Sequence, residues 1–311
     1  MTTQALDQAK AEAFGGEMVA MLNHACLALL TSIGHQTGLF ETLADLPPST
    51  SAQIAAVAAL DERYVREWLG AMTVGRIVEY DPTTRTYRLP PEHAASLTRA
   101  AGPDNFAYFM QYIPELGAIE SQVIESFRNG GGVPYAAIPR FQALQHEETA
   151  ALYDAALIDV MLPLAPSIVE RLTEGIAVAD YGCGAGHAVN LMARAFPTSR
   201  FTGYDVSAVG VAMARRAAAA WGLTNADFVV ADVATLDLGD AFDLITAFDT
   251  IHDQAHPAAV LRSIARALRS DGSFFMVDIA ASSNLEENLE HPLGPLLYTA
   301  STLHCMTVSL A

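Results

Sequence analysis

The stretch VADYGCGAGHAVNLMARAFP, from Val178 to Pro197, opens with a short apolar strand that ends on an acid, Asp180. Three glycines follow at alternate positions, Gly182, Gly184 and Gly186, and an amphipathic helix then begins. Glycines let a strand turn sharply into a helix and let a ligand touch bare backbone. The helix N-terminus adds unpaired N–H groups and the positive end of a dipole. A GxG pattern alone is weak, because small residues are common wherever a strand meets a helix.

The next units give it weight. Arg200-Phe-Thr-Gly-Tyr-Asp205 reads as a second strand ending on an acid, about 20 residues past the loop, where a ribose-binding carboxylate belongs. A helix around Val211 to Trp221 follows. The third strand, Asp227 to Asp232, again ends on an acid, and Phe242 to Phe248 forms a fourth that leads to Asp249 and His252. A helix from about Pro257 to Arg269 and a turn at Asp271-Gly272 precede a fifth strand, Ser273 to Ile279. Strands alternating with helices predict an α/β fold with a doubly wound, parallel, Rossmann-like sheet.

Over roughly Val178 to Ala281 this pattern resembles the class I S-adenosylmethionine-dependent methyltransferases. DYGCGAG matches that family's acid followed by GxGxG. The resemblance implies S-adenosyl-L-methionine as cofactor, held at Asp180, Gly182, Gly184 and Gly186. It implies that Asp205, with Val206, holds the ribose hydroxyls. Asp232-Val233 would lie beside the adenine, and Phe248 counts with the same set. The rival is a dinucleotide oxidoreductase, whose fingerprint wants a glycine where this chain has His187 and gives the third acid no task.

Length and charge agree with an enzyme. A chain of 311 residues can bury one or two cores. Its net charge is −18, from 35 acids against 17 basic residues, among which Lys10 is the one lysine. Such a surface repels phosphate backbones, so no nucleic-acid partner is expected. No uninterrupted apolar run approaches the roughly 18 residues of a spanning helix, so no membrane partner is expected. MTTQALDQAK lacks a basic flank and an apolar segment, so no signal peptide is read. Cys26, Cys183 and Cys305 are odd in number and scattered, which suggests reduced thiols in a cytoplasm.

Residues 1–100 read as a separate module. Gly16 to Leu46 carries apolar groups at helical spacing; Thr50-Ser51 and Asp61 can cap two further helices. Ile77 to Tyr80, a turn at Asp81-Pro-Thr-Thr84, and Thr86 to Leu89 make a hairpin. This is a winged-helix order. Its third helix, DERYVREWLGAM, mixes acids with arginines, unlike a groove-reading helix. The resemblance narrows to small-molecule O-methyltransferases, where such a module implies a homodimer and a wall of the substrate pocket. The apolar stretch Met18 to Leu30, with Met21, Leu22, Leu27 and Leu29, agrees with a dimer face.

Residues 101–173 read as a helical bridge and substrate lid. Asn105 to Phe127 is expected as helix broken at Pro114, and Phe141 to Glu170 as helix interrupted near Pro163 and Pro166. Phe106, Tyr108, Phe109, Met110, Tyr112, Tyr135, Tyr153 and Met161 could line an apolar pocket or simply pack as core. The glycine loop ending in Tyr135 is the lid candidate.

The chemistry centres on His252-Asp253, after the fourth strand, at the sheet edge where ligands bind. Imidazole titrates in the range useful for taking a hydroxyl proton. FDLITAFDTIHDQ resembles the segment in which those O-methyltransferases carry a histidine base, with Gln254 where they often have tryptophan. Asp278, ending the fifth strand, corresponds to a carboxylate that orients the ring. No His/Cys spacing suggests a metal. In the methyltransferase domain, residues 174–311, the sheet should end in a hairpin, yet Ala280 to Ala311 reads as loop and helix. The expectation is a truncated chain in which Leu296, Leu297, Tyr298, Leu303, Met306 and Val308 pack on the bridge and His304 and Cys305 face the core. The function expected is methyl transfer to a small-molecule hydroxyl. The alternatives are a cofactor-sensing winged-helix regulator and a catalytically inactive methyltransferase-like protein.

Overall fold

A computed structural model of the chain describes residues 6–165 and 167–311. The first five residues, included in the reading of a leaderless start, and Pro166, read as a helix interrupter, lie outside the described residues. The chain divides into two compact units, Met1–Pro114 and Glu115–Ala311. The division falls inside the stretch 101–173 read as one bridge.

In the first unit, helix α1 spans Gln8–Thr37; Asp7 caps it by accepting from the Lys10 N–H, and Gly38 ends it at φ 71°. That left-handed turn is open to glycine without a Cβ penalty. Helices α2 (Leu39–Asp45), α3 (Ser51–Ala58) and α4 (Glu62–Val74) follow. Thr50 and Gln53 close a capping box on α3, and Asp61 caps α4 by accepting from Arg63 and Tyr64 N–H. Strand β1 (Glu79–Asp81) pairs antiparallel with β2 (Thr86–Arg88). The turn starts later than read: Asp81 pairs with Thr86 in the ladder, and Ile77 and Val78 precede the strand. Phe40, Leu43, Ile54, Trp68, Leu69 and Met72 form the core. The Trp68 indole donates to the Leu30 carbonyl at 2.7 Å. Gly34 permits this approach, since a Cβ there would press on the Trp68 and Phe40 rings.

Two readings of this unit need correction. Helix α1 is long and apolar enough, by length and composition, to cross a membrane; its mean hydropathy reaches 1.4 over 18 residues. Asn23-His24 and Thr31-Ser32 break up its apolar runs, but no Asp, Glu, Lys or Arg occurs from Met18 to Thr37. Ala28, Thr31, Ser32, Gly34 and His35, near its C-terminal end, are buried in this unit. Pro114 is also not a break. It sits in the first turn of a short helix, Tyr112–Gly117, where no N–H is needed. The interruptions fall around it, between Phe106–Phe109, Tyr112–Gly117 and Glu120–Asn129.

The second unit carries a five-stranded parallel sheet in the order β5-β4-β3-β6-β7. The strands are β3 (Ala177–Tyr181), β4 (Arg200–Asp205), β5 (Ala226–Val230), β6 (Phe242–Phe248) and β7 (Leu268–Val277). The central β3 and β6 are nearly continuously apolar and buried, as parallel strands covered on both faces must be. Helices His187–Ala195 and Ala208–Ala220 cover one face through Val189, Met192, Val211 and Ala214. Pro257–Ala267 covers the other through Val260 and Ile264.

Strand β7 begins earlier than read. Leu268 pairs with Phe242 and Ser273 with Leu244, so Asp271-Gly272 lies in a bulge rather than a turn before the strand. The strand stops at Val277, leaving Asp278 and Ile279 beyond it. Among the described residues no strand pairs with the outer edge of β7, and Gly294–Ser309 is helical. On that C-terminal helix Leu296, Tyr298 and Met306 are exposed, contrary to expectation, because the helix turns His304 and Thr307 inward instead. The glycine loop fastens to it: the Val133 N–H donates to the Thr307 carbonyl and hydroxyl, and a Cβ at Gly132 would overlap the Thr307 carbonyl.

Candidate active site

The site forms where β3 and β4 hand over to helices. Asp180, the penultimate residue of β3, is 4% exposed. The Thr246 hydroxyl on neighbouring β6 donates to its Oδ1 at 2.7 Å, but burial dominates and pushes its carboxyl up to about 7. The chain then bends over β4, with the Gly182 and Cys183 N–H groups donating to the Tyr204 carbonyl. Gly182, Gly184 and Gly186 all take positive φ, 79°, 53° and 72°. A Cβ at Gly182 would strike Thr250, and one at Gly186 would strike Ala214 and Phe228. One at Gly184 would meet nothing within 4 Å. Two glycines are thus needed for close packing, and the middle one leaves bare backbone facing open space.

Asp205 ties this loop to β4. Its Oδ2 accepts from the Gly184 N–H at 2.8 Å and its Oδ1 from the Ser207 N–H at 2.7 Å. Burial raises its carboxyl more than these bonds lower it. A carboxylate oxygen carries two lone-pair sites, so each oxygen can still take a ligand hydroxyl.

A cleft of about 770 Å³ opens over this loop, within the usual range for small-molecule sites. Asp180, Gly182, Gly184, Asp205, Val206, Asp232, Val233 and Phe248 line it. Gly186 is not among the lining residues and packs against Ala214 and Phe228. Of the aromatic set read as possible pocket wall, Tyr135 and Tyr153 line the cleft. Met161 packs on the sheet core, and Phe106, Tyr108, Phe109, Met110 and Tyr112 belong to the first unit. A hollow of about 900 Å³ against the β1–β2 hairpin, lined by Arg76, Glu79, Asp81 and Arg88, carries none of these glycines and acids.

His252 stands after β6. Its Nδ1 lies 2.6 Å from Asp278 Oδ1 and its Nε2 3.1 Å from Asp253 Oδ1. Asp253 and Cys305 beside the ring, with the charge of Asp278, push its pKa up to about 11 against the opposing effect of burial. Burial also raises Asp253, but the His252 ring outweighs it and leaves this carboxyl below its usual range. Asp253, rather than the ring, lines the cleft.

The sequence assigns no site role to Asp249, which lines the cleft at φ 49° and whose carboxyl is raised by burial. A positive φ on a non-glycine leaves no mark in sequence. Nor does it mark out His146 and Gln145 in the cleft wall, which helical spacing alone cannot single out. The metal reading changes too. Ligand atoms of His252, Asp253 and Cys305 lie within 4.8 Å of one another, a grouping made from segments far apart in the chain.

Two family models match this architecture. Residues 172–294 match a methyltransferase domain, and residues 25–99 match the Rv2258c-like winged HTH domain. The chain therefore joins a winged-helix domain to a Rossmann-like methyltransferase domain. It is 30% identical over 115 residues to the fatty-acid O-methyltransferase of Mycolicibacterium smegmatis, covering 37% of this chain and 41% of that one. The chain matches about two fifths of the length of such curated relatives. Mitomycin 7-O-methyltransferase MmcR shares the fold at a TM-score of 0.74, with 18% identity over 98% of this chain and 89% of its own. Human N-acetylserotonin methyltransferase, solved in complex with SAM, gives 0.67 at 17% identity, over 98% and 88%.

Proposed function

We propose that this chain transfers a methyl group from S-adenosyl-L-methionine to a hydroxyl of a small-molecule acceptor. The observation that carries the reading is the cleft itself: Asp205 bound to the Gly184 N–H, beside a glycine loop with open backbone. Asp205 would hold the ribose hydroxyls, and Asp232 with Val233 would flank the adenine. When bound, the cofactor supplies a methyl group activated by a sulfonium. The resemblance to relatives that methylate oxygen supports a hydroxyl acceptor.

His252 is the proposed base. Asp278 holds its Nδ1, which leaves Nε2 as the working nitrogen. Between its carboxylates the ring carries its proton at neutral pH. It accepts another only after losing that one, so this route speeds up toward alkaline pH. Asp253, at the cleft wall, would meet the acceptor and pass its proton to the ring behind.

A second copy of the chain is the proposed partner of the winged helix. Met18, Val19, Met21, Leu22, Leu29 and Ile33 are exposed along α1, an apolar face that a symmetric dimer would bury. What speaks against nucleic acid is α4, where Arg63 pairs with Glu67 and Arg66 with Glu62, atop a net charge of −18. The three free thiols favour a reducing cytoplasm.

The test is turnover of methyl-labelled S-adenosylmethionine against a panel of phenolic, catecholic and hydroxy-fatty acceptors. Label should pass to an acceptor oxygen, and at limiting cofactor the transfer should fall roughly tenfold or more in Asp205→Ala. Cofactor binding without transfer to any acceptor would favour the inactive reading.

A further inference from the structure

The C-terminal helix brings a second set of donors to His252-Asp253. Cys305 completes a nitrogen, oxygen and sulfur group whose ligand atoms lie within 4.8 Å of one another. Next to it His304 is 4% exposed, yet neither of its ring nitrogens has a hydrogen-bond partner. Phe141 stacks on this ring at 3.5 Å between centroids, and Nε2 lies 3.7 Å from Asp253 Oδ2. Unpartnered buried imidazole is costly, because each ring nitrogen gives up a water bond.

The contact between His252 and Asp253 points the same way. Nε2 and Oδ1 face each other at 3.1 Å, but Asp253 Oδ1 is buried and has no hydrogen bond of acceptable geometry. Behind the ring, Asp278 Oδ1 sits 2.6 Å from Nδ1. A carboxylate on the outer nitrogen is the usual support of a metal-bound histidine, since it fixes the tautomer and aims the other lone pair inward.

We propose that His252 Nε2, the Asp253 carboxylate and the Cys305 thiolate bind a divalent transition ion of the zinc class, with the fourth position open to water or another small ligand. Mixed N, O and S donors in a tetrahedron suit that ion. Ligand atoms on such a tetrahedron stand about 3.3–3.8 Å apart, given bonds of about 2.0–2.3 Å, so small side-chain rotations close the group. Binding exchanges protons for the ion: His252 and Cys305 each release one, and affinity rises with pH. An ion held there takes the Nε2 lone pair. A filled site and base catalysis by His252 therefore exclude each other, and this consequence rests on the proposed activity, whereas the site does not.

The test titrates Co²⁺ into the reduced, chelator-treated full chain. One equivalent should bind with the strong visible absorption of tetrahedral cobalt and a near-ultraviolet thiolate band, and Zn²⁺ should displace it. Cys305→Ser should remove the thiolate band. Asp278→Asn should weaken binding by roughly 10- to 100-fold. S-adenosylhomocysteine titrated into each variant reports whether the cleft is intact. Weak, octahedral cobalt spectra, or spectra unchanged by Cys305→Ser in protein that binds S-adenosylhomocysteine, overturn the metal site and leave the proposed activity standing. Tight tetrahedral binding in protein that ignores S-adenosylhomocysteine does the reverse.

Discussion

Asp180→Asn should make the protein more stable at alkaline pH and remove one component of its pH dependence. Asp180 is an acid whose folded pKa, about 7, lies above its ordinary 3.8. Ionising such a group withdraws stability; the loss begins near 3.8 and is complete above about 7. Each pH unit in that window is worth about 1.4 kcal/mol, so the whole penalty is about 4 kcal/mol at most, and roughly 3 kcal/mol falls between pH 5 and pH 8. Asparagine keeps the shape and can still accept from the Thr246 hydroxyl, 2.7 Å away in the parent. Asp205 and Asp249 are also raised by burial, and the Asp205 charge adds to the rise at Asp180, so the difference between the two proteins reads the Asp180 carboxyl in its charged surroundings. Urea unfolding of both proteins from pH 5 to pH 8, with m-values unchanged, measures it. The parent should lose stability relative to the variant as pH rises. Parallel curves would refute the burial argument.

Gly182→Ala should cost about 2–5 kcal/mol, from a left-handed φ and a Cβ pressed on Thr250. Gly184→Ala, with open space around its Cβ, should cost only the conformational part, about 1–2 kcal/mol, and urea midpoints will rank the two. His252→Ala should lower kcat and kcat/KM together, by up to about 10²–10⁴-fold at alkaline pH where the parent ring has lost its proton and by less near neutrality, while S-adenosylhomocysteine still binds. Turnover at the parent rate would make the ring structural. Met21→Asp on α1 should give monomers by sedimentation where the parent is a dimer; a parent that sediments as monomer at micromolar concentration contradicts the dimer.

The sheet was legible because each of its strands carries its own apolar run and its own acid at or just past the tip. The glycine loop and Asp205 became legible together, because the loop's spacing gains weight from a second strand that ends on an acid about 20 residues later. The winged helix was legible from caps: Thr50 and Asp61 stand where they do because a helix starts there. What the sequence hid depends on tertiary placement. Cys305 reaches His252 across some fifty residues of chain, and no periodicity encodes that meeting. Asp271-Gly272 looked like a turn because that dipeptide favours one, yet pairing of Leu268 with Phe242 draws it into a bulge. The apolar character of α1 was hidden by Asn23-His24 and Thr31-Ser32, uncharged polar pairs that interrupt any run without adding a charge.

The central claim is that the cleft over Gly182–Gly186 holds S-adenosylmethionine through Asp205. Calorimetric titration of S-adenosylhomocysteine into the parent and into Asp205→Ala tests it most directly. Loss of a buried charge-assisted hydrogen bond costs about 1.5–3 kcal/mol, so the variant should bind roughly tenfold or more weakly. Equal affinities, or tighter binding of a nicotinamide dinucleotide by the parent, would contradict the account.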